Sequence, residues 1–222
     1  MLDARLGPWL RAVLDPVARR LVGLGVGADA VTWTGFAFGL AAAAAVAASW
    51  YGTGLALFLC NRLFDGLDGA VARRVGPADR GGFLDITLDF IVYAAYPLGF
   101  ALAAPSQNAL AAAFLLFCFI GTSASFLAFA SIAAQRGIVS IRHGPKAIHY
   151  LGGLAEGTET ILAFVLFALF PGWFPWLAAG FGALCLATAA ARVYQGVRTF
   201  SPLPQPPAAQ KKRPSTDADG PS

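Results

Sequence analysis

Charge is what this chain has least of. Asp, Glu, Lys and Arg make up 13% of its 222 residues, where a soluble globular domain carries roughly 25%. So few charges cannot cover a chain that is 57% hydrophobic, which excludes an ordinary water-soluble domain and points to a bilayer. Cysteine is almost as scarce. Cys60, Cys118 and Cys185 stand singly inside apolar runs, without CxxC or Cys/His spacing, so neither a disulfide framework nor a zinc site is expected and the three read as packing residues. The net charge of +4 is spread over short segments. No soluble module presents it, so nucleic acid is not an expected partner.

What the chain has in abundance is long apolar sequence. Runs near residues 31–50, 54–72, 82–104, 109–134, 147–170 and 174–194 approach the roughly 20 residues that cross a hydrocarbon core. They predict an all-α, polytopic bundle of six transmembrane helices over residues 26–198. Residues 1–25 mix Arg5, Arg11, Arg19 and Arg20 with Trp9, Leu10, Val13, Leu14 and Val17 and show no cleavage-type ending. They predict an amphipathic juxtamembrane helix rather than a secretory signal. Residues 199–222, with four prolines followed by Lys211, Lys212 and Arg213, predict a disordered cytoplasmic tail.

Basic residues sort to one side of these spans. The loops at 51–53, 105–108 and 171–173 carry no charge, whereas the alternate loops hold Arg73, Arg74, Arg80, Arg136, Arg142 and Lys146. This positive-inside pattern places both termini in the cytoplasm, with Trp50, Tyr51, Trp173 and Trp176 at the opposite interface. The expected location is a cell (inner) membrane, crossed several times. Small residues such as those at 41–45 and 111–113 allow close helix packing. No internal repeat argues for a transporter of duplicated halves.

Against this apolar background, Asp65, Asp68, Asp85 and Asp89 fall inside the second and third spans. Insertion of one Asp at a helix centre costs roughly 2.5 to 3.5 kcal/mol, so four need compensation. Helical spacing puts Asn61, Arg62, Asp65, Asp68, Gly69 and Ala72 on one face of the second span, and Asp85 and Asp89 on one face of the third. A short loop near Pro77 joins the two, which predicts an antiparallel hairpin with Asp65 level with Asp89 and Asp68 level with Asp85. At 1.5 Å per residue, Asp65 lies about 12 Å inward from Arg73, within reach of the cytosol. Hard divalent cations, Mg²⁺ or Mn²⁺, are the economical remedy for four converging carboxylates. Pairing with Arg62, Arg73 or Arg74, or a proton or cation pathway, is the alternative that spacing leaves open.

The pattern Asp65-x-x-Asp68-Gly69-x-x-Ala72-Arg73, seven residues, then Gly81-x-x-x-Asp85-x-x-x-Asp89 resembles the signature of the CDP-alcohol phosphatidyltransferase family at every fixed position. The resemblance implies a homodimeric membrane enzyme of phospholipid synthesis that releases CMP from a CDP-linked donor, with CDP-diacylglycerol expected, and transfers the phosphatidyl group to an alcohol. It implies that Asp65, Asp68, Asp85 and Asp89 hold two metal ions and that Asp89 is also the general base. Gly69, Ala72 and Gly81 become small positions that let the nucleotide approach, with Arg73 near the donor phosphates. Their blander reading is helix packing. The family often has Pro-Asn ahead of a Thr at the entry of the first span, whereas this chain reads Ala28, Asp29, Ala30, Val31, Thr32. Thr32 is kept as a donor-site residue, and Asp29 can still cap a helix.

For the acceptor, Glu156 and Glu159 sit three residues apart in the fifth span, placed to hold a polyol or an ammonium group, or to pair with Arg62 or Arg192. Arg142 and Lys146 ahead of that span suit a phosphate, although basic residues there also serve topology and attraction to membrane lipids. His143 and His149 read as interfacial. An ion- or proton-coupled transporter using the same aspartates, and a structural membrane subunit, are the competing classes, and the signature disfavours both.

Overall fold

A computed structural model describes the backbone of residues 2–76, 78–138 and 157–201 and the side chains from Val13 onward. Within these residues the elements are α1 Leu2–Gly23, α2 Ala28–Ala47, α3 Tyr51–Val75, α4 Asp79–Ala103, α5 Pro105–Gln135, α6 Gly157–Leu169, a 3-10 turn Pro171–Trp173 and α7 Phe174–Phe200. Among the described residues every regular element is helical, as the apolar runs predict. Helices α2 to α7 fall on the six predicted spans, but only α2, α4, α5 and the segment Pro171–Phe200 are both long and apolar enough to cross a membrane. Helix α3 has the length, at 25 residues, but Arg62, Asp65, Asp68, Arg73 and Arg74 lower its hydropathy. Helix α6 is described over 13 residues, and the first part of the predicted fifth span lies outside the described residues. Among the described residues the structure therefore gives four apolar crossings where six are predicted for the chain.

Two predicted loops are helical. Helix α3 begins at Tyr51 and α5 at Pro105, where proline has no N–H to leave unsatisfied in the first turn. At the other end, α7 continues through Phe200, two residues into the predicted tail. The Phe200 ring packs on Phe129 of α5 at 4.8 Å between centroids, and Arg136 lies over it at 5.3 Å. The rest of the predicted tail, from residue 202, lies outside the described residues.

Helix α1 ends in a Schellman motif: Gly25 takes φ 77°, its N–H donates to Val22 O at 3.0 Å, and Val26 N–H donates to Leu21 O at 2.9 Å. The turn directs α1 back over α3, where Leu14 and Ala18 pack with Leu67, Ala70 and Val71. Arg74 and Asp15 close the same contact with an ion pair at 2.5 Å. Leu14, expected on a membrane-facing side, is thus buried in protein, while Val13 and Val17 remain exposed.

Helix α2 decides the geometry of the site. It packs closely against both α3 and α4, which touch one another far less than either touches α2. The predicted hairpin is therefore splayed, with α2 as its floor. Small residues make this possible: a Cβ on Gly39 would stand 2.5 Å from Val92 Cγ2, and one on Gly99 of α4 would stand 2.6 Å from the Ala43 carbonyl oxygen. Side chains at these points would push the helices apart and lose van der Waals contact, the main attraction between helices in lipid. Beyond the polar cleft, Phe58, Tyr96, Phe100, Phe164, Phe167 and Phe174 form a fully buried aromatic core. Phe100 stacks on Phe174 at 4.6 Å and Tyr96 on Phe164 at 5.0 Å, tying α4, α6 and α7 together.

Candidate active site

All four aspartates line one small cavity between α2, α3 and α4, together with Thr32, Asn61, Leu88 and Val92. The splay of α3 from α4 supplies the opening, and the side chains reach across it. Its free space is about 10 Å³, room for about one water-sized sphere. Asp68 is buried and Asp85 exposed at the rim. Across the cavity Asp89 of α4 meets Arg62 of α3.

Each carboxylate has its own restraint. Thr32 Oγ1 of α2 lies 2.7 Å from Asp68 Oδ2 as donor and also 3.1 Å from the Ala28 carbonyl oxygen. Arg62 grips Asp89 with both terminal nitrogens, Nη1 to Oδ2 at 3.1 Å and Nη2 to Oδ1 at 2.5 Å, and stands 3.7 Å from Asp65 on its own helix. Asn61, buried beside Arg62, donates from Nδ2 to the Gly35 carbonyl of α2 at 2.8 Å. The ion pairing left open by spacing is therefore real for Asp89 and Arg62. One guanidinium cannot balance four carboxylates.

The donor chemistry fits hard divalent cations: clustered carboxylate oxygens and, among the described residues, no thiolate or imidazole at the cavity. Among the described residues, however, no three acidic groups already converge as a finished ligand shell. Asp68 is bonded to Thr32 and Asp89 to Arg62, and an ionised carboxylate with about four lone-pair sites keeps acceptor capacity for a cation beside such a bond.

Thr32 lines the cavity. Gly69, Ala72, Arg73 and Gly81 do not line it; they follow along the C-terminal half of α3 and the first turn of α4. Arg73 reaches back over Gly69, with Nη1 3.3 Å from where a Cβ would stand. Gly81 lies beside Asp29, whose carboxylate pairs with Arg80. Asp29 thus ties the start of α2 to the start of α4 across the mouth of the cleft. Glu159 is in the first turn of α6 and away from the aspartates' cavity, while Glu156, Arg142 and Lys146 lie outside the described residues.

Tyr93 escapes the sequence reading, which offered Arg62 only as one of three possible partners for the aspartates. The signal for Tyr93 was its place four residues after Asp89, on the same helical face. Its hydroxyl lies 2.9 Å from Arg62 Nη1, and its ring borders a second cavity of about 180 Å³ between α4, α5, α6 and α7. Thr122, Ser123, Thr160 and Arg192 give that otherwise aromatic cavity a polar side.

A model of CDP-alcohol phosphatidyltransferases matches residues 26–188, most of the chain and the whole of the cleft just described. The chain belongs to the CDP-alcohol phosphatidyltransferase family. It is accordingly a membrane transferase of phospholipid synthesis that takes its phosphatidyl group from a CDP-alcohol. It is 53% identical to the inner membrane protein YnjF of Escherichia coli (strain K12) over 203 residues, 91% of this chain and 98% of that one. A shorter match, 46% identity over 83 residues, covers 37% of this chain and 41% of an archaetidylinositol phosphate synthase from Methanothermobacter thermautotrophicus. Two solved structures of a phosphatidylinositol phosphate synthase from Mycobacterium tuberculosis share the fold at a TM-score of 0.62. One has CDP-DAG bound, is 21% identical and covers 84% of this chain and 94% of its own. The other, in complex with manganese and citrate, is 22% identical and covers 82% of this chain and 88% of its own.

Proposed function

We propose that this phosphatidyltransferase uses CDP-diacylglycerol as donor and works with two divalent cations, Mg²⁺ or Mn²⁺, held by Asp65, Asp68, Asp85 and Asp89. The observation that carries this reading is the meeting of all four signature aspartates on one cavity with, among the described residues, a single arginine, Arg62, paired to them. Such ions, when bound, offset the charge of the diphosphate and of the leaving CMP. The chain's own residues then have distinct tasks. Thr32 orients Asp68, and Asp89 accepts the proton of the acceptor hydroxyl as its oxygen bonds to phosphorus and the bond to CMP breaks. Gly69, Ala72 and Gly81 keep the approach to the helix backbone free of side chains, and Arg73 faces the donor phosphates.

The acceptor is a small alcohol bound from the α6 side, with Arg142, Lys146, Glu156 and Glu159 as its candidate contacts. The full architecture is six spans of an inner membrane, with the amphipathic α1, both termini and the site on the cytoplasmic side, assembled as a homodimer. The naming of an inner membrane relative supports the location, and the sorting of basic residues supports the orientation. The manganese and CDP-DAG complexes of the mycobacterial synthase support the choice of cation and donor.

The test is CMP release by purified protein in lipid. The assay combines CDP-diacylglycerol, Mg²⁺ or Mn²⁺ and a panel of glycerol 3-phosphate, inositol phosphate, inositol, serine and choline. CMP is expected with one acceptor, lost on chelation and restored by added cation. Absence of CMP across the panel, with CDP-diacylglycerol and with a smaller CDP-alcohol, would overturn this reading.

A further inference from the structure

The geometry points to Arg62 as a positioning residue that aims the Asp89 carboxylate, a role that rests on the transfer reaction proposed above. Arg62 lies outside the family signature, three residues before Asp65, and its side chain is only 7% exposed. Its donors are nearly all committed. Nη1 bridges Asp89 Oδ2 at 3.1 Å and the Tyr93 hydroxyl at 2.9 Å; Nη2 bridges Asp89 Oδ1 at 2.5 Å and Asn61 Oδ1 at 2.6 Å; Nε also donates to Asn61 Oδ1 at 2.9 Å. The Tyr93 ring lies 5.0 Å from the guanidinium carbon and the Phe58 ring 5.7 Å. Because Asn61 is itself fixed to the Gly35 carbonyl, the guanidinium is held from α2, α3 and α4 at once.

A residue present only to neutralise acid would be shared among the nearest carboxylates. Arg62 has Asp65 one turn away on its own helix at 3.7 Å, yet gives both terminal nitrogens to Asp89 on the other side of the cleft. A two-point grip fixes the plane of a carboxylate, which one charge contact cannot do. An ionised carboxylate offers about four lone-pair sites, so the fork leaves Asp89 with acceptor capacity for a proton. A general base acts only within hydrogen-bond reach of the hydroxyl it serves, and small misplacements are costly to rate. Arg62 therefore acts through Asp89, and the loss of its fork falls on turnover rather than on donor binding.

Arg62→Lys keeps the charge and loses the planar fork; Tyr93→Phe removes only the hydroxyl that braces Nη1. In the CMP-release assay the expected result is a kcat about 10- to 100-fold lower for Arg62→Lys, and several-fold lower for Tyr93→Phe. KM for CDP-diacylglycerol and the thermal midpoint in detergent should stay close to wild type in Tyr93→Phe, which also covers the case that Arg62→Lys does not fold. Unchanged kcat in both variants, or a kcat loss that only tracks a lower thermal midpoint with a rising KM, overturns the positioning role while the reaction stands. Wild-type protein that releases no CMP from any CDP-linked donor overturns the reaction and this role with it.

Discussion

Thr32 on α2 binds Asp68 on α3 through its hydroxyl, at 2.7 Å. The bond fixes one metal-ligand candidate from a helix that carries no acidic residue in the cavity. A hydrogen bond to a charged group contributes about 1.5 to 3 kcal/mol. Thr32→Val, which keeps the shape and removes the hydroxyl, should therefore raise the Mn²⁺ or Mg²⁺ concentration for half-maximal CMP release by about tenfold or more. Thr32→Ser should stay near wild type. Equal metal requirements in Thr32→Val and wild type would show that this hydroxyl does not order the carboxylate.

Asp89 and Asp68 differ in surroundings, and their amide variants should differ in consequence. Asp89→Asn removes the proposed base and should lower kcat by roughly 100- to 10,000-fold, the usual range for general base catalysis. It also leaves Arg62 without its ionised partner, and breaking a buried pair costs about 3 to 5 kcal/mol, so its thermal midpoint should fall. Asp68→Asn removes no ion pair, because its close partner is the Thr32 hydroxyl. Activity should be lost with little change in midpoint. Melting curves in detergent beside CMP release separate the two patterns.

Much of the site was legible because intramembrane acids are expensive, so their spacing carries information that apolar residues do not. The spacing of Asp65, Asp68, Asp85 and Asp89 was sufficient to bring them to one cavity, whereas the chemistry was read from the signature they form with Gly69, Ala72, Arg73 and Gly81. The arrangement around them was not legible. A short loop at Pro77 implies that α3 and α4 pair, but no local signal shows that α2, through Gly39, takes the place between them. Nor does spacing choose among Arg62, Arg73 and Arg74 as partners for the aspartates; the pairing of Arg62 with Asp89 follows from the splay and from Asn61 fixing the guanidinium. Helix ends at Tyr51 and Pro105 were misplaced because uncharged residues at an interface suit a loop and a helix start equally well.

Gly69 separates packing from ligand approach. A Cβ there would meet only the mobile tip of Arg73, at 3.3 Å, so Gly69→Ala should leave the thermal midpoint unchanged. If the donor nucleotide passes over this point, the same variant should raise KM for CDP-diacylglycerol several-fold, with a smaller effect on kcat. A KM at the wild-type value would mean that the donor nucleotide does not pass over Gly69.

Gly99 and Gly39 pose the opposite case, since both lie where α2 and α4 are in contact. At Gly99 the obstacle to a Cβ is the Ala43 carbonyl oxygen, at 2.6 Å, which is backbone and cannot turn aside. At Gly39 the obstacle is the Val92 side chain, at 2.5 Å, which can be removed. Overpacking of this kind costs about 1 to 3 kcal/mol, so Gly99→Ala and Gly39→Ala should both lower the thermal midpoint. Combining Gly39→Ala with Val92→Ala should recover much of the loss, because the second change clears the space that the first one fills. The floor also holds Asn61, 3.2 Å from the same Gly39 position, so the recovery should extend to kcat. Recovery of the midpoint without recovery of kcat would show that the spacing of α2 and α4 governs stability but not the alignment of Asn61, Arg62 and Asp89.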